Sequence, residues 1–462
     1  MNRTLFGRSG ELARLDLLVD SAHRGVSEFA VTFGRRRVGK SMLLQRFVDA
    51  TTSTTRAVLY APGRESAQRQ RTGLADSLRS VGVAVTDEQA ATWRALLTTV
   101  FEAARIEPLV VVIDEAPYLI DSDPAWPSIL QSVWDTERHP AEPSGLVLVL
   151  NGSAISAMTS MIASSGALFE RPTTTMRIDP FDLPTTHAFL GEPDPRRTLE
   201  AQAACGGYPL LLQRWDTTQD ATGNLIRLGG EPFGPLAANA SVLLIDLADI
   251  GGHRRVLGAV GRGATKLSDI NNRAGQRAEH SLSVLEAASF VGRRTPIGEP
   301  ARKNVHYELT DGYLRFWFQL IDRNMQFIES GQGEQVIRRA SALWTTHIAD
   351  TFEREARSHA IRLVASGALE SMVIGEWWRD SGSQAQVDVV GVGPTDWRFA
   401  GEVKWRDRFD RSDLHRFEQN LAAAGYGPDD VMTASWSING ANDDVMLIRP
   451  DMRHFTVDDV VR

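Results

Sequence analysis

Phe33-Gly34-Arg35-Arg36-Arg37-Val38-Gly39-Lys40-Ser41 is the stretch on which the reading of this chain turns. A short apolar run, residues 29–33, precedes it, and Met42-Leu43-Leu44-Gln45-Arg46-Phe47-Val48 follows with the apolar spacing of a helix. The segment therefore reads as strand, loop, helix, which is the context that GxxxxGKS needs to act as a phosphate-binding loop. Gly34 and Gly39 let the backbone curl with its N–H groups inward, and the helix N-terminus adds positive potential. Gly34, Arg35, Arg36, Arg37, Val38, Gly39, Lys40, Ser41 and Met42 are thus the expected nucleotide cradle. Lys40 is expected on the β and γ phosphates of ATP, and the Ser41 hydroxyl on Mg2+. The alternative is a chance glycine-rich loop, which would not require the flanking strand and helix.

A chain of 462 residues is long enough for about two to four domains. Hydrophobic residues make up 42% and charged residues 23%, so neither disorder nor a fibre is indicated. A net charge of −8 argues against a wholly basic nucleic-acid wrapper but leaves room for a local basic face. The longest apolar runs, 109–113 and 146–150, are strand-sized rather than membrane-spanning. Arg3, Arg8 and Glu11 come before any apolar block, unlike a secretory signal, so a cytoplasmic protein is expected. The single cysteine, Cys205, excludes an internal disulfide and reads as a small buried hydrophobe.

From residue 28 to about 150 short apolar runs alternate with helical patterns, which predicts a parallel α/β sheet. The run 109–113 ends in Asp114-Glu115. At the C-terminal edge of a buried strand Asp114 would hold the Mg2+ shell and Glu115 would polarise the attacking water; a helix N-cap is the alternative role. The run 146–150 ends in Asn151-Gly152-Ser153, where Asn151 and Ser153 are candidates to touch the γ-phosphate or its water, or else form a simple turn. Arg171 is a candidate finger on transition-state charge, acting in its own subunit or in a neighbour within a homo-oligomer; a solvated surface arginine is the alternative.

Residues 184–228 read as helical, broken at Gly206-Gly207-Tyr208-Pro209, and the Gly/Pro-rich stretch 229–235 suggests a linker or domain edge. Residues 254–311 follow with three helical patterns and two short strands, the order of a winged helix-turn-helix. Arg293, Arg294, Arg302 and Lys303 on the wing would suit DNA phosphates, while an intramolecular lid is the competing role. The stripe Tyr313, Phe316, Trp317 and Phe318 predicts packing rather than base stacking.

In the last segment a helix over 344–364 carries Glu353, a strand ends near Trp378, and Val387-Asp388-Val389-Val390 precedes Gly401-Glu402-Val403-Lys404-Trp405. Residues two apart on a strand share a face, so Glu402 and Lys404 point one way. With Asp388 on the preceding strand, the pair of acids could bind Mg2+ and activate water against a phosphodiester, Lys404 stabilising developing charge and Glu353 completing the metal shell. A cross-strand ion pair is the simpler alternative.

With these residues in view, the sequence resembles the prokaryotic, archaeal-type P-loop ATPases of the AAA+/STAND group that carry a C-terminal PD-(D/E)xK nuclease-like domain. The loop 33–41 carries the most specific mark, aromatic-Gly-Arg-Arg-Arg-hydrophobic-Gly-Lys-Ser. Phe6-Gly7-Arg8 with Glu11 is similar to that family's adenine-side segment, Asp114-Glu115 to its Walker B motif, Gly152-Ser153 to its sensor strand, and Gly207-Tyr208-Pro209 to the GxP turn near the base. Arg171 falls where the family keeps an arginine, and Ile374-Gly375-Glu376-Trp377-Trp378, Val387-Asp388 and 401–405 resemble its C-terminal domain. Asn151 stands where a small apolar residue or cysteine is usual, and Glu170 where glycine often occurs. The resemblance implies an ATPase core over 1–183, a helical lid over 184–235, a winged helix over 236–312, an aromatic linker helix over 313–340 and an α/β restriction-endonuclease-like domain over 341–462. It implies ATP and Mg2+ as cofactors, with DNA met through the winged helix. Two functions are compatible with this order: an ATPase controlling a DNA-interacting and Mg-dependent nuclease module, or a STAND-type switch whose last domain binds a partner without cutting.

Overall fold

The computed structural model describes residues 5–138, 143–245, 250–300, 304–380 and 383–462. The chain divides into two compact units, Met1–Pro180 and Phe181–Arg462.

In the first unit, β1 (Glu28–Phe33), β2 (Arg56–Tyr60), β3 (Leu109–Ile113), β4 (Leu146–Gly152) and β5 (Thr174–Arg177) form one sheet in the order β5-β1-β4-β3-β2. All its pairings are parallel. The near-continuous apolar runs follow from burial on both faces. Phe29, Val31, Val111, Ile113, Leu148 and Leu150 enter one core, while Ala30, Val110, Val112, Val147 and Val149 enter the other. Phe29 and Phe101 meet Trp134 at ring-centroid distances of 5.1 and 5.5 Å, contacts that stabilise by about 0.5–1.5 kcal/mol each. β5 lies in the Ser/Thr-rich stretch and has no apolar run to mark it as a strand.

The strand order matters for function. β4 stands between the loop-bearing β1 and the acidic β3, with Thr32 opposite Asn151 and Ile113 opposite Leu150. The C-terminal ends of the three strands therefore deliver Gly34, Asp114 and Asn151 to one edge of the sheet, where ligands of open parallel sheets bind.

The second unit begins with helices. The stretch 229–235, expected as a linker, is a turn between Ala221–Gly229 and Pro235–Leu243, which pack on each other. Helices Ile250–Gly261, Leu267–Ala274 and Glu279–Ala287 precede the antiparallel pair β6 (Val291–Arg294) and β7 (His306–Leu309). Tyr313, Phe316, Trp317 and Phe318 are buried, and Tyr313 Oη and Trp317 Nε1 donate to the carbonyls of Leu236 and Ala237. The aromatic stripe is core. A mixed sheet closes the unit in the order β12-β11-β10-β9-β8, from β8 (Val373–Arg379), β9 (Ala385–Val392), β10 (Trp397–Val403), β11 (Met432–Trp436) and β12 (Arg453–Phe455). The long helix Ser341–Ala365 packs against β8, β9 and β10. Among the described residues no helix is long and apolar enough to cross a membrane.

Candidate functional sites

The loop after β1 needs its glycines. A Cβ on Gly34 would lie 2.1 Å from the Ile178 carbonyl oxygen, and Gly39 has φ +94°. Arg37, with φ 68°, takes the left-handed region without being glycine, a cost that folded proteins carry mainly at functional turns. The helix Lys40–Thr51 has no side-chain cap and no acid in its first turn, so its first N–H groups face the loop. Ser41 and Met42 are exposed in that turn. Lys40 is buried and its Nζ donates to the carbonyls of Gly34 and Arg35, both at 2.9 Å, and to Ser153 Oγ at 3.0 Å.

That serine also holds the acid. Ser153 Oγ donates to Glu115 Oε1, and its backbone N–H donates to Oε2 at 3.1 Å. Glu115 has φ 63°, so the chain turns sharply where β3 ends. Asp114 is fixed by Asn151 Nδ2 at 2.5 Å, and Asn151 Oδ1 accepts from Thr32 Oγ1 at 2.9 Å. Thr32 was missed in the sequence, although a hydroxyl inside an otherwise apolar strand was a visible signal. The structure thus brings together Gly34, Lys40, Asp114, Glu115, Asn151 and Ser153. Lys40 supplies a cation beside backbone N–H groups, while Ser41 and Asp114 are oxygen donors of the type Mg2+ takes. These residues fit a magnesium nucleotide.

Arg8 belongs to the same edge. It is buried and donates to the carbonyls of Val38 at 3.1 Å and Asp179 at 2.6 Å, with Glu11 at 3.0 Å. Gly7, with φ 60°, precedes it. Arg171 instead lies on Asp135, at 2.9 Å, and on the Phe169 carbonyl. Gly207 and Pro209 lie in the second unit. A Cβ on Gly207 would meet the Phe181 carbonyl oxygen at 2.1 Å, and Tyr208 Oη donates to Asp311 Oδ2 at 2.5 Å.

A second constellation forms where β9 and β10 pair, with Gly401 opposite Val389. Asp388 and Glu402 are buried, 4% and 3% exposed. Lys404 lies just past β10, its Nζ 2.5 Å from Glu402 Oε1 and 3.7 Å from Asp388 Oδ2. Asp388 Oδ2 accepts from the Val403 N–H at 2.9 Å, and Oδ1 from Gln386 at 3.0 Å. Burial, reinforced by Asp388, pushes Glu402 up to about 8, and Glu353 on the long helix likewise to about 8. Asp388 is raised as well, chiefly by burial. Burial alone would depress Lys404, but Asp388 and Glu402 outweigh it and keep the ammonium protonated.

Among the described residues no three His, Cys, Asp or Glu side chains surround one metal position. Yet Glu402 Oε2 is buried without a hydrogen-bond partner, and an ammonium sits against both acids in the manner of a bound cation. Two carboxylates, with water filling the other positions, are a donor set that Mg2+ accepts, so the residues fit that ion. Arg357 and Gln386 touch this cluster, Glu376 is joined to it through Arg357, and none of the three was singled out as a site residue from the sequence; Glu376 was visible as an acid in an aromatic strand.

On the β6–β7 pair, Arg293 lies on Glu286, and Arg294 on Glu376 and Glu308. Arg302 and Lys303 fall outside the described residues.

Residues 5–197 match a family described as an ATPase domain predominantly from Archaea, and residues 317–417 match one described as archaeal and bacterial proteins of unknown function. Over 430 residues the chain is 25% identical to an uncharacterised protein of Methanocaldococcus jannaschii, with 90% of each covered. A Walker-type ATPase of Pyrococcus abyssi shares the fold with TM-score 0.51 and 16% identity, over 68% of this chain and 96% of its own. The ORC2 protein of Aeropyrum pernix, in ADPNP–ADP complexes, gives TM-score 0.46 and 11% identity over 74% and 98%. With its loop, acidic strand and polar strand tip in place, the chain carries an archaeal-type ATPase domain and, behind it, a domain shared with archaeal and bacterial proteins of unknown function.

Proposed function

We propose that the chain hydrolyses ATP, that its nucleotide state governs a DNA-interacting module, and that its C-terminal carboxylates cleave phosphodiesters with Mg2+. The observation that carries the first part is the contact of Lys40 and Glu115 through one hydroxyl, that of Ser153. Lys40 and the loop N–H groups would take the β and γ phosphates, Ser41 and Asp114 the ion, and Glu115 the proton of the attacking water, with Arg171 as a finger in cis or in trans. Mg2+ supplies charge neutralisation at the phosphate oxygens and, beside Asp388 and Glu402, an activated water. The domain reading that goes with this has the winged helix over 236–312 and the nuclease-like domain over 341–462.

Replacement of Lys40 by alanine should abolish binding of ATP, and Glu115→Gln should bind ATP but hydrolyse it at least about a hundredfold more slowly. Normal turnover by both variants would sink the assignment. For the second part, DNA and RNA are incubated with Mg2+ or Mn2+ and wild type, Asp388→Ala or Lys40→Ala. Cleavage that survives Asp388→Ala does not come from these carboxylates.

The second reading, a switch whose last domain binds a partner without cutting, is favoured by the deep burial of Asp388 and Glu402 and by the Lys404 ammonium already set between them. It predicts the same ATPase results and no cleavage by wild type.

A further inference from the structure

The β6–β7 pair is docked on the C-terminal sheet by charge. Arg294, the last residue of β6, sets Nε 2.5 Å from Glu376 Oε1 on β8 and a second nitrogen on Oε2. Its third nitrogen reaches Glu308 of β7 at 3.2 Å. The backbone follows, since the Ile297 N–H donates to the Glu376 carbonyl at 2.9 Å. Glu308 also takes Arg354 of the long helix at 2.7 Å, and Asp380 takes both His306 and Lys266 at 2.9 Å.

Glu376 faces two ways. It is buried, and the irregular β8–β9 register between Gly375 and Trp377 sets it beside the stretch Val387 to Val390. Arg357 lies 3.5 Å from its Oε2 and donates to the Asp388 carbonyl at 3.0 Å, so one guanidinium links Glu376 to the candidate metal site. Glu376, Asp388 and Glu402 therefore form one acidic group, touched by the cations Arg294, Arg357 and Lys404, and Glu353 lies near enough to feel the charges of Asp388, Arg357 and Lys404. Of the three cations, only Arg294 comes from the β6–β7 hairpin. Without Arg294, Glu376 keeps only Arg357, which it shares with the Asp388 carbonyl, and a buried carboxylate that loses one of its cations is left less compensated.

We propose that Arg294 is a latch through which the hairpin sets the cation affinity of the C-terminal site. With the hairpin docked, the charge of Glu376 is neutralised by Arg294; with the hairpin released, Glu376 adds its charge to Asp388 and Glu402, and a divalent cation between those two is held more tightly. Glu376 is then a positioning residue of that site, and hairpin movement is read out as metal binding. The inference rests on the metal-site reading proposed above.

The test measures Mn2+ binding to the full chain by titration, taking the part abolished by Asp388→Asn, together with hydrogen exchange over residues 291–309. Arg294→Gln should speed exchange of the hairpin and tighten Mn2+ by about tenfold or more, as one uncovered charge at close range requires. Glu376→Gln should also speed exchange but leave Mn2+ no tighter than wild type, and the double variant should match Glu376→Gln. Arg294→Lys, which keeps the charge without the fork, should fall between wild type and Arg294→Gln. Faster exchange with unchanged Mn2+ affinity in Arg294→Gln overturns the latch and leaves the metal site standing. Mn2+ binding by Asp388→Asn equal to wild type overturns the metal site and the latch with it.

Discussion

Lys40 Nζ stands 3.0 Å from Ser153 Oγ, and the same oxygen donates to Glu115. The group that meets phosphate and the group that meets water are thus two hydrogen bonds apart. A phosphate drawn to Lys40 competes for the donors now turned on Gly34, Arg35 and Ser153, and so changes what Ser153 offers to Glu115. Ser153→Ala keeps the loop and the backbone N–H on Glu115 Oε2 but removes the hydroxyl from Oε1, so Glu115 is held at one oxygen only. We expect nucleotide affinity within about threefold of wild type and kcat lowered roughly tenfold, a split that marks an effect on the chemical step. Equal losses in affinity and turnover would instead mean that Ser153 only shapes the loop.

The Ile178 carbonyl fixes Gly34. A methyl group at that position would stand 2.1 Å from its oxygen, and both partners are backbone, so one of them must move. Gly34→Ala should cost about 1–3 kcal/mol of first-unit stability and abolish binding of a fluorescent ADP analogue. Wild-type affinity in this variant would show that the loop tolerates the shift.

The nucleotide edge was legible because its signals are local. Strand, glycines, lysine and helix lie in one short stretch, and the acidic strand end announces itself. What the sequence hid was contact between distant residues. Nothing around Asn151 says that it grips Asp114 on one side and Thr32 on the other, because that depends on β4 lying between β3 and β1. β5, Thr-Thr-Met-Arg, is an edge strand paired only with β1 and has no apolar run to reveal it. The arginines of the β6–β7 pair looked like phosphate ligands because charge is visible in a sequence and pairing is not; Arg294 is taken by Glu376, 82 residues later. Asp388, Glu402 and Lys404 were singled out by their order in the chain, and that they meet follows from the antiparallel register of β9 and β10.

Arg8 carries a prediction about the N-terminal segment. Its guanidinium joins the Val38 carbonyl, inside the loop, to the Asp179 carbonyl. Arg8→Ala strands both acceptors in a buried place, a cost of about 1–3 kcal/mol for each that finds no water. The expected outcome is a lower Tm for the first unit and weaker ADP binding. Arg8→Lys, unable to span both carbonyls, should recover only part of either. Full recovery by lysine would reduce the role of Arg8 to its charge.

Two histidines set an acid limit for the second unit. Burial, with Arg315 and Arg354 nearby, lowers His347 to about 4 against the Ala203 carbonyl it faces at 2.8 Å. Burial and Arg362 lower His359 likewise to about 4, and its Nδ1 accepts from Trp436 Nε1 at 3.1 Å, which requires that nitrogen unprotonated. Both are neutral in the fold and bind protons more readily when unfolded. Their contribution is fully present above the ordinary histidine value of 6.5 and is lost as the pH falls through about 4. Thermal unfolding of the full chain from pH 7 to pH 4.5 reads the histidines as the difference between wild type and a variant without them, because Glu353 and Glu402, pushed up to about 8 in the fold, act in the opposite direction over the same window. His347→Gln with His359→Gln preserves a donor for Ala203 and an acceptor for Trp436 while removing both titrations, so the double variant should start lower at pH 7 and its gap to wild type should narrow as the pH falls. A slope identical to wild type would place the acid sensitivity elsewhere.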